Sequence, residues 1–355
     1  MMVHPPVDYE EEALVDLLVA QYLQLLEPQH LSFPPINVLI KPAVQQLIYQ
    51  TMFNETQIWP IPPPNYRIRV LRILISRLEE SISDPEEDEI LDDLVSSYGN
   101  LITLPRQSPL EEAQKLSYIR YTAPRDIGSK ESHDSQFVIT SENRGLILSS
   151  GTTGFRTWEA ALHLGTYLST PEGRALIAGK NIIELGSGTG FLSMYCLKCL
   201  GARSVTATDR DPALISSIQD CVMRNSLDSS RIHADIWEWG NPFQPHRLSS
   251  SGKSYQSFDV ALGADLIYDR ELIPLLSSTL RELFDKHGIK EFILSSTLRN
   301  SETFNAFLNT CEANKLNACK INFKSPPRQS QNGFFHSTDV PIQTYRISAS
   351  ASLLL

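Results

Sequence analysis

The sequence has no long uninterrupted apolar segment. No window approaches about 18 consecutive apolar residues, so the sequence predicts no membrane-spanning helix. Residues 1–12 include two prolines and several acidic residues but no basic segment followed by an apolar one, so we expect no signal peptide. Positive charge is also scarce, since 31 Lys and Arg residues against 41 Asp and Glu residues give a net charge of −10. This balance argues against the broad basic surface with which proteins bind nucleic acids.

Cysteine is rare, and its number is odd. The chain of 355 residues contains five: Cys196, Cys199, Cys221, Cys311 and Cys319. This count argues against a disulfide framework and for a reducing compartment, so we expect the cytoplasm, with the nucleus as the alternative. Cys196 and Cys199 are spaced like a metal-binding pair, but no second pair accompanies them and they share one face of a predicted helix. We therefore interpret them as buried apolar side chains and predict no metal site.

The most informative stretch of the sequence is Asn181–Tyr195. The apolar residues of 182–185 predict a buried strand, Gly186, Gly188 and Gly190 predict a turn, and helix-forming residues follow. Strand, glycine turn and helix together form the backbone cradle with which α/β sheets bind ligands. Glycine is favoured there because a Cβ would obstruct the ligand and because such turns often require a positive φ.

The spacing of these glycines differs from that of a dinucleotide site. The pattern is G-x-G-x-G rather than G-x-G-x-x-G, and Glu184 stands two residues ahead of the first glycine. A carboxylate so close to the turn would repel a pyrophosphate but would attract a cationic ligand. S-adenosylmethionine (SAM) carries an ammonium and a sulfonium and no phosphate. The segment therefore predicts SAM as the cofactor.

The chain before this stretch predicts a separate helical domain. Between residues 8 and 100, apolar residues recur with helical spacing in four segments, and we find no catalytic motif among them. An acidic run near residues 84–93 predicts the solvated start of the fourth helix. We therefore predict a helical accessory domain over residues 1–104.

A linker and a hairpin are predicted between the two parts of the chain. Residues 105–135 are polar and interrupted by prolines, which indicates a linker with one helical turn near residues 111–117. The apolar segments Phe137–Ile139 and Leu146–Leu148 predict the two strands of a hairpin within residues 136–150.

Strands and helices alternate through the rest of the chain. This alternation predicts a doubly wound α/β domain over residues 136–355, with a parallel sheet and right-handed crossovers. The last two predicted strands, at residues 318–323 and 341–348, have no helix between them. We therefore predict that the sheet ends in an antiparallel hairpin.

Polar residues at the strand ends predict a single site, because ligands bind at the carboxyl edge of such sheets. Asp209 ends the second strand, where it could accept hydrogen bonds from ribose hydroxyls. It could instead begin the next helix, but Asp211, followed by proline, already supplies that N-cap. Asp235 and Trp237 close the third strand, where they could hold an adenine. Trp237 could also lie with Trp239 in the core.

The fourth strand ends in a small residue, a carboxylate and a phenol: Ala264, Asp265 and Tyr268. Together, the segments Glu184-Leu-Gly-Ser-Gly-Thr-Gly190, Asp209, Asp235-Ile-Trp237 and Asp265-Leu-Ile-Tyr268 resemble the seven-β-strand protein-lysine methyltransferases, whose distinguishing motif is D-x-x-Y after the fourth strand. Residues 154–162 are similar to the element that precedes the SAM domain in that group. The helical extension is similar to the branch that methylates a lysine of eukaryotic elongation factor 2.

The resemblance covers about residues 137–350 and implies a Rossmann-like SAM-dependent methyltransferase domain. Motif and strand ends together give the expected cofactor contacts: Trp158, Glu184, Gly186, Ser187, Gly188, Gly190, Asp209, Asp235, Trp237 and Ala264. By the resemblance, Asp265 and Tyr268 would line the lysine channel. We expect a monomer that binds a protein substrate, elongation factor 2, and contacts neither nucleic acid nor membrane.

Methyl transfer requires a neutral lysine nitrogen, and at pH 7 roughly one lysine in a thousand is neutral. Because the Asp265 carboxylate would raise the pKa of the amine, we assign it capture and orientation, with the proton lost to water. Tyr268 would orient the nitrogen. Two alternatives stay open: a methyltransferase for a small molecule or nucleic acid, and a non-catalytic module on the same sheet. The acidic balance and the absence of an Asn-Pro-Pro-Tyr sequence argue against nucleic acid, and the intact glycines argue against an inert module.

Overall fold

The computed structural model describes residues 7–82, 89–105, 108, 115–125, 136–143, 153–244 and 257–350. The chain forms two compact units, Met1–Thr122 and Ala123–Leu355. Within the described residues, no helix combines the length and the apolar character needed to cross a membrane.

The first unit is mainly helical. Its described helices are α1 (Tyr9–Leu23), α2 (Ile36–Leu39), α3 (Pro42–Ile48), α4 (Pro64–Ser81) and α5 (Asp92–Ile102). A π-helical turn, Tyr49–Phe53, extends α3, and strand β1 (Ser117–Thr122) follows α5.

Local sequence signals determine where these helices begin. The Asp8 carboxylate accepts a hydrogen bond of 2.9 Å from the backbone N–H of Glu11, and the Glu11 carboxylate accepts one of 3.4 Å from Asp8, which forms a capping box for α1. Pro64 occupies the first turn of α4, where a backbone N–H would have no helical partner. The buried face of α4 carries Val70, Leu71, Leu74 and Leu78. Packing of this amphipathic face is what stabilises the helix.

Strand β1 lies in the segment predicted as a linker. Ile119 and Tyr121 are buried, whereas Tyr118 and Arg120 are partly exposed, so side chains alternate as in a strand. The sequence reasoning did not predict this strand within the linker segment. The helical turn predicted near residues 111–117 falls largely outside the described residues. The predicted hairpin strand Leu146–Leu148 and residues 84–88 of the predicted acidic helix start also lie outside them, whereas Asp92 and Asp93 do form the first turn of α5.

A seven-stranded sheet forms the centre of the described part of the second unit. Its strands are β3 (Asn181–Leu185), β4 (Ser204–Asp209), β5 (Ile232–Ile236), β6 (Val260–Ala264), β7 (Glu291–Thr297), β8 (Leu316–Ile321) and β9 (Ile342–Ala349); β2 (Phe137–Glu142) lies outside this sheet. The strand order is β5-β4-β3-β6-β7-β9-β8. Strand β9 runs antiparallel to β7 and β8, and the other neighbouring pairs are parallel. The predicted doubly wound sheet with a terminal antiparallel hairpin is confirmed.

Helices cover both faces of the sheet. They are α6 (Glu159–Leu168), α7 (Pro171–Ile177), α8 (Phe191–Lys198), α9 (Pro212–Arg224), α10 (Ile273–Lys286) and α11 (Ser301–Ala313). Successive residues of β3 point to opposite faces. Ile183 and Leu185 join a buried apolar cluster with α10 and α11, whereas Glu184 is hydrogen-bonded to Ser193 of α8 on the other face. The central strand therefore connects both helical layers.

Strand β3 marks the point where the order of the strands reverses. It pairs with β4 on one side and with β6, which comes later in the chain, on the other. The helix that follows β3 (α8) and the helix that follows β6 (α10) lie on opposite faces of the sheet, so a crevice opens between the carboxyl ends of these two strands. Apart from Trp158, the predicted ligand-binding residues lie at or just after the carboxyl ends of β3, β4, β5 and β6.

The cysteines are free thiols. Four are buried and Cys319 is exposed. Burial raises the pKa of the Cys199 thiol to about 11, so this side chain is a neutral thiol at pH 7. The interpretation of Cys196 and Cys199 as buried apolar side chains is confirmed.

Candidate active site

The glycine turn after β3 has the backbone that its sequence predicted. Gly186, Gly188 and Gly190 all have positive φ, at 57°, 51° and 73°. A Cβ at Gly188 would lie 2.9 Å from the carbonyl oxygen of Gly154, so the segment before α6 lies directly against the turn. A Cβ at Gly190 would lie 2.8 Å from the Ile218 side chain on α9. The turn therefore requires glycine for both its conformation and its packing.

A cavity of about 390 Å³ opens at this turn. Its wall contains most of the residues predicted from the sequence: Trp158, Glu184, Gly186, Ser187, Gly188, Asp209, Trp237, Ala264, Asp265 and Tyr268. Gly190 and Asp235 are not part of that wall. Gly190 caps α8 and packs on α9, and Asp235 is a buried residue of β5.

Glu184 is buried beneath the turn. Its Oε2 atom accepts hydrogen bonds from the backbone N of Ser193 at 2.9 Å and from the Ser193 Oγ at 2.5 Å. Burial raises the pKa of this carboxyl to about 8, although both bonds from Ser193 oppose the shift. A cationic group in the cavity would favour the charged carboxylate. The residue therefore suits the positively charged end of a ligand.

Asp209 connects the glycine turn to the end of β4. Its Oδ2 atom accepts a hydrogen bond of 3.0 Å from the backbone N of Gly188, and its Oδ1 accepts one of 3.2 Å from Asp211. Burial raises the pKa of Asp209, and these backbone donors oppose the shift. The Asp211 carboxylate accepts from the backbone N of Ala213 at 2.8 Å and so caps α9. The prediction that Asp211 caps the helix is confirmed.

Both candidate tryptophans after β5 contribute to the cavity wall. Trp237 is almost fully buried, its Nε1 donates to the carbonyl oxygen of Asn241 at 2.9 Å, and its ring centre lies 4.7 Å from that of Phe243. Trp237 therefore belongs to the core and to the wall at once. Trp239 packs beside Gly186, where a Cβ would lie 3.4 Å from its ring. Aromatic faces thus border the turn.

Asp265 adopts a left-handed conformation, with φ of 53°, immediately after β6. Its Oδ1 accepts a hydrogen bond of 2.8 Å from the backbone N of Thr297, and its Oδ2 accepts from the Thr297 Oγ1 at 3.1 Å and from the Arg299 Nη1 at 3.2 Å. Burial raises the pKa of Asp265, opposed by these donors and by the charge of Arg299. The carboxylate is thus already oriented by Thr297, the last residue of β7, and by Arg299 two residues further on.

Arg299 is a wall residue that the sequence reasoning missed. Its guanidinium lies 5.3 Å from the ring centre of Trp158 and 3.8 Å from the Glu159 carboxylate. Arg156 contacts the same two residues, at 5.0 Å and 3.5 Å. Two arginines and an indole therefore share one side of the cavity. The position of Arg299, two residues beyond the end of β7, is the signal that could have identified it.

Hydrogen bonds between side-chain hydroxyl groups connect the segment before α6 to the glycine turn. The Thr157 Oγ1 donates to the buried Glu142 carboxylate at 2.7 Å and lies 2.7 Å from the Thr189 Oγ1. Thr140 donates to the same carboxylate at 2.8 Å. Because Thr157 and Thr189 both line the cavity, this network fixes its shape. Nothing in the local sequence pattern predicted it.

Comparison with known proteins identifies the family of this chain. Residues 145–314 match the protein family described as lysine methyltransferase. The chain is 38% identical over 327 residues to the protein-lysine N-methyltransferase EFM3 of Chaetomium thermophilum, and the alignment covers 91% of this chain and 94% of that protein. This chain belongs to the lysine methyltransferase family. The prediction of a SAM-dependent protein-lysine N-methyltransferase is confirmed.

Two further relatives align over shorter regions of this methyltransferase. The protein-lysine N-methyltransferase EEF2KMT of Homo sapiens is 28% identical, over 55% of this chain and 59% of that protein. The EEF1A lysine methyltransferase 3 of Mus musculus is 35% identical, over 42% of this chain and 59% of that protein.

The cavity of this methyltransferase fits SAM, its methyl donor. Its volume lies within the range of small-molecule sites. The carboxylates of Glu184 and Asp209 suit a cationic group and ribose hydroxyls, and the indole of Trp237 suits a planar base. The absence of a side chain at Gly186 and Gly188 allows close approach to the backbone.

Proposed function

We propose that this methyltransferase transfers a methyl group from SAM to a lysine of translation elongation factor 2. One observation carries the proposal: a single cavity joins the carboxylates of Glu184 and Asp209 at the glycine turn to Asp265 and Tyr268 after β6. The first pair suits the cofactor, and the second pair suits a cationic side chain that enters from solvent.

Two features support elongation factor 2 as the substrate. The sequence resembles the branch that carries a helical extension and methylates this factor, and the 38% identical relative aligns over 91% of the chain, so the similarity extends into the first unit. The human relative EEF2KMT names the same factor in its symbol.

SAM would lie across the glycine turn and supply an electrophilic methyl group bonded to sulfonium. In this proposal Glu184 attracts the cationic amino acid end, Asp209 accepts the ribose hydroxyls, and Trp237 packs on the adenine. The remaining contacts of the proposal are Trp158, Gly186, Ser187, Gly188 and Ala264. Gly190 and Asp235, which lie off the cavity wall, would support the turn and strand β5.

The lysine would enter past Tyr268, which is 59% exposed at the mouth of the cavity. Its nitrogen would reach the Asp265 carboxylate, whose side chain is only 9% exposed. Asp265 then orients the nitrogen, the ring of Tyr268 packs along the approaching side chain, and water accepts the proton. Alignment of the nitrogen with the methyl group is the main contribution of such a site to the rate.

Elongation factor 1A is the second candidate substrate, because the mouse relative is named for it. That similarity covers 42% of this chain, which leaves most of the chain without a counterpart in the alignment. The human relative EEF2KMT aligns over 55% of this chain, so the more extensive of these two alignments favours elongation factor 2.

The proposal also includes a monomer that acts in the cytoplasm. Translation factors act there, and the five free thiols fit a reducing compartment. Cell fractionation and light scattering of the purified protein test these two points separately.

The substrate is tested by labelling. The purified protein is incubated with radiolabelled SAM and a cell lysate, and with purified elongation factors 2 and 1A in parallel. We expect label on lysine of elongation factor 2 in both mixtures. Label on elongation factor 1A alone would show that this factor, and not elongation factor 2, is the substrate. Label on RNA or small molecules would contradict lysine methylation.

A further inference from the structure

The carboxylate proposed to receive the substrate lysine is already paired with a cation. The Arg299 Nη1 lies 3.2 Å from the Asp265 Oδ2, and Thr297 donates two further hydrogen bonds to the same carboxylate. The Asp265 side chain is 9% exposed and the Arg299 side chain is 47% exposed, so water reaches this ion pair from the Arg299 side. The positive charge of Arg299 therefore offsets the negative charge of Asp265 at the lysine-binding end of the cavity.

This pairing addresses a difficulty in the chemistry. Methyl transfer uses the lone pair of the lysine nitrogen, so the nitrogen must be neutral when it reacts. A carboxylate without a partner would stabilise the ammonium form and raise the pKa of the lysine. A second cation on that carboxylate weakens the effect, and Oδ1, which accepts one hydrogen bond, keeps a lone pair available for orientation.

We propose that Arg299 is a positioning residue for methyl transfer, which offsets the charge of Asp265 so that the cavity accepts the lysine nitrogen as a neutral amine. The inference rests on the proposed lysine site, but it does not depend on which protein carries the lysine.

Other charged groups surround Arg299. Substitution of one of them, Glu159, should shift the lysine pKa in the direction opposite to substitution of Arg299. Glu159, at the start of α6, lies 3.8 Å from the Arg299 Nη2 and also pairs with Arg156. The rest of the cavity wall carries these titratable and charged residues: Glu184, Asp209, Arg210, Glu238 and Tyr268. Loss of the Glu159 charge strengthens the positive field of Arg299, whereas loss of Arg299 leaves Asp265 unopposed. The two substitutions therefore shift the lysine pKa in opposite directions.

The test is the pH dependence of kcat between pH 6 and pH 10, with SAM and protein substrate both saturating, since this profile reports the groups of the bound complex. We expect Arg299→Gln to move the midpoint upward by about one pH unit, which lowers the rate at pH 7 about tenfold and restores it near pH 10. Arg299→Lys keeps the wild-type midpoint, because it keeps the charge. Glu159→Gln moves the midpoint downward.

Binding of SAM, measured by calorimetry, and the thermal midpoint of each variant show whether the fold and the cofactor site are intact. If Arg299→Gln lowers the rate by the same factor at every pH, the inference is overturned, because a merely structural role of Arg299 predicts such a uniform loss. A shift of the same sign in Glu159→Gln and Arg299→Gln would also overturn it. If Arg299→Gln fails to fold, the Glu159→Gln midpoint decides alone: a downward shift supports the inference and an unchanged midpoint overturns it.

The same experiment also tests the proposed substrate, and the two outcomes can be told apart. If wild-type protein methylates a lysine of a protein other than elongation factor 2, the substrate assignment is wrong, and the profiles on that protein still decide the role of Arg299. If wild-type protein methylates no lysine, both the proposed function and the inference are overturned.

Discussion

The backbone N–H of Gly188 donates a hydrogen bond of 3.0 Å to the Oδ2 atom of Asp209. This bond joins the turn after β3 to the end of β4, two segments that are 21 residues apart in the sequence. The shape of the turn and the orientation of the carboxylate therefore depend on each other. Substitutions at Gly188 and at Asp209 separate the effect of the turn on SAM binding from that of the carboxylate.

Gly188→Ala should abolish or strongly weaken SAM binding. The new Cβ would lie 2.9 Å from the carbonyl oxygen of Gly154, so the turn and the segment before α6 must move apart. Gly201→Ala is the matched control, because Gly201 also has positive φ, 73°, but no atom lies within 4 Å of its Cβ position. The positive φ alone should lower the free energy of unfolding by about 1–2 kcal/mol in each variant, and the contact with Gly154 adds to this loss only in Gly188→Ala. Calorimetry should find SAM binding at least tenfold weaker in Gly188→Ala alone, and equal affinities in the two variants would contradict the account.

Asp209→Asn should weaken SAM binding about tenfold with little change in stability. An amide can still accept from Gly188, but it loses the charge that strengthens hydrogen bonds to donors such as hydroxyls. Asp211→Ala, two residues away, should leave SAM affinity unchanged and lower the stability. Loss of the α9 cap costs about 1 kcal/mol of folding free energy. Calorimetry and thermal unfolding of both variants check this. A fall in SAM affinity in Asp211→Ala that matches that of Asp209→Asn would count against a distinct role for Asp209.

Much of this site follows from the order of strands in the sequence. The carboxyl ends of parallel strands share one edge of the sheet, so the side chains that follow them meet there. Asp209 could be told from Asp211 because only Asp211 precedes a proline at a helix start. The same reasoning, applied to β7, would have included Thr297 and Arg299.

Other features depend on side-chain direction, which spacing does not determine. Gly190 belongs to the same motif as Gly188, yet its neighbour is Ile218 of α9 and not the cavity. Asp235 precedes Trp237 by two residues but is buried away from the cavity wall. The left-handed backbone at Asp265 directs its carboxylate to Thr297 and Arg299. Aspartate tolerates this backbone better than most residues, but the sequence does not show which aspartate adopts it.

The stability of the wild-type protein should fall as pH rises, because of Glu184. Burial raises the pKa of this carboxyl to about 8, whereas in the unfolded chain it is near 4.3. Between these values the folded state holds a proton that the unfolded state releases. The free energy of unfolding should therefore decrease with rising pH in this range, by on the order of 1 kcal/mol per pH unit.

Glu184→Gln should remove this contribution while its amide oxygen still accepts from Ser193. Urea unfolding of both proteins at pH 5, 6, 7 and 8, without SAM, measures the difference. The wild type should lose more stability than the variant between pH 5 and pH 8. Parallel curves would show that Glu184 does not hold its proton in the folded state.

The most direct test of lysine methylation in this cavity uses Asp265→Ala. Purified elongation factor 2 is incubated with SAM and either wild-type protein or the variant, and peptide mass spectrometry measures methylated lysine over time. Calorimetry first establishes that the variant still binds SAM. We predict methylation of one lysine by the wild type and a rate at least a hundredfold lower in Asp265→Ala, because the site no longer orients the nitrogen. Methylation by Asp265→Ala at the wild-type rate would contradict the account.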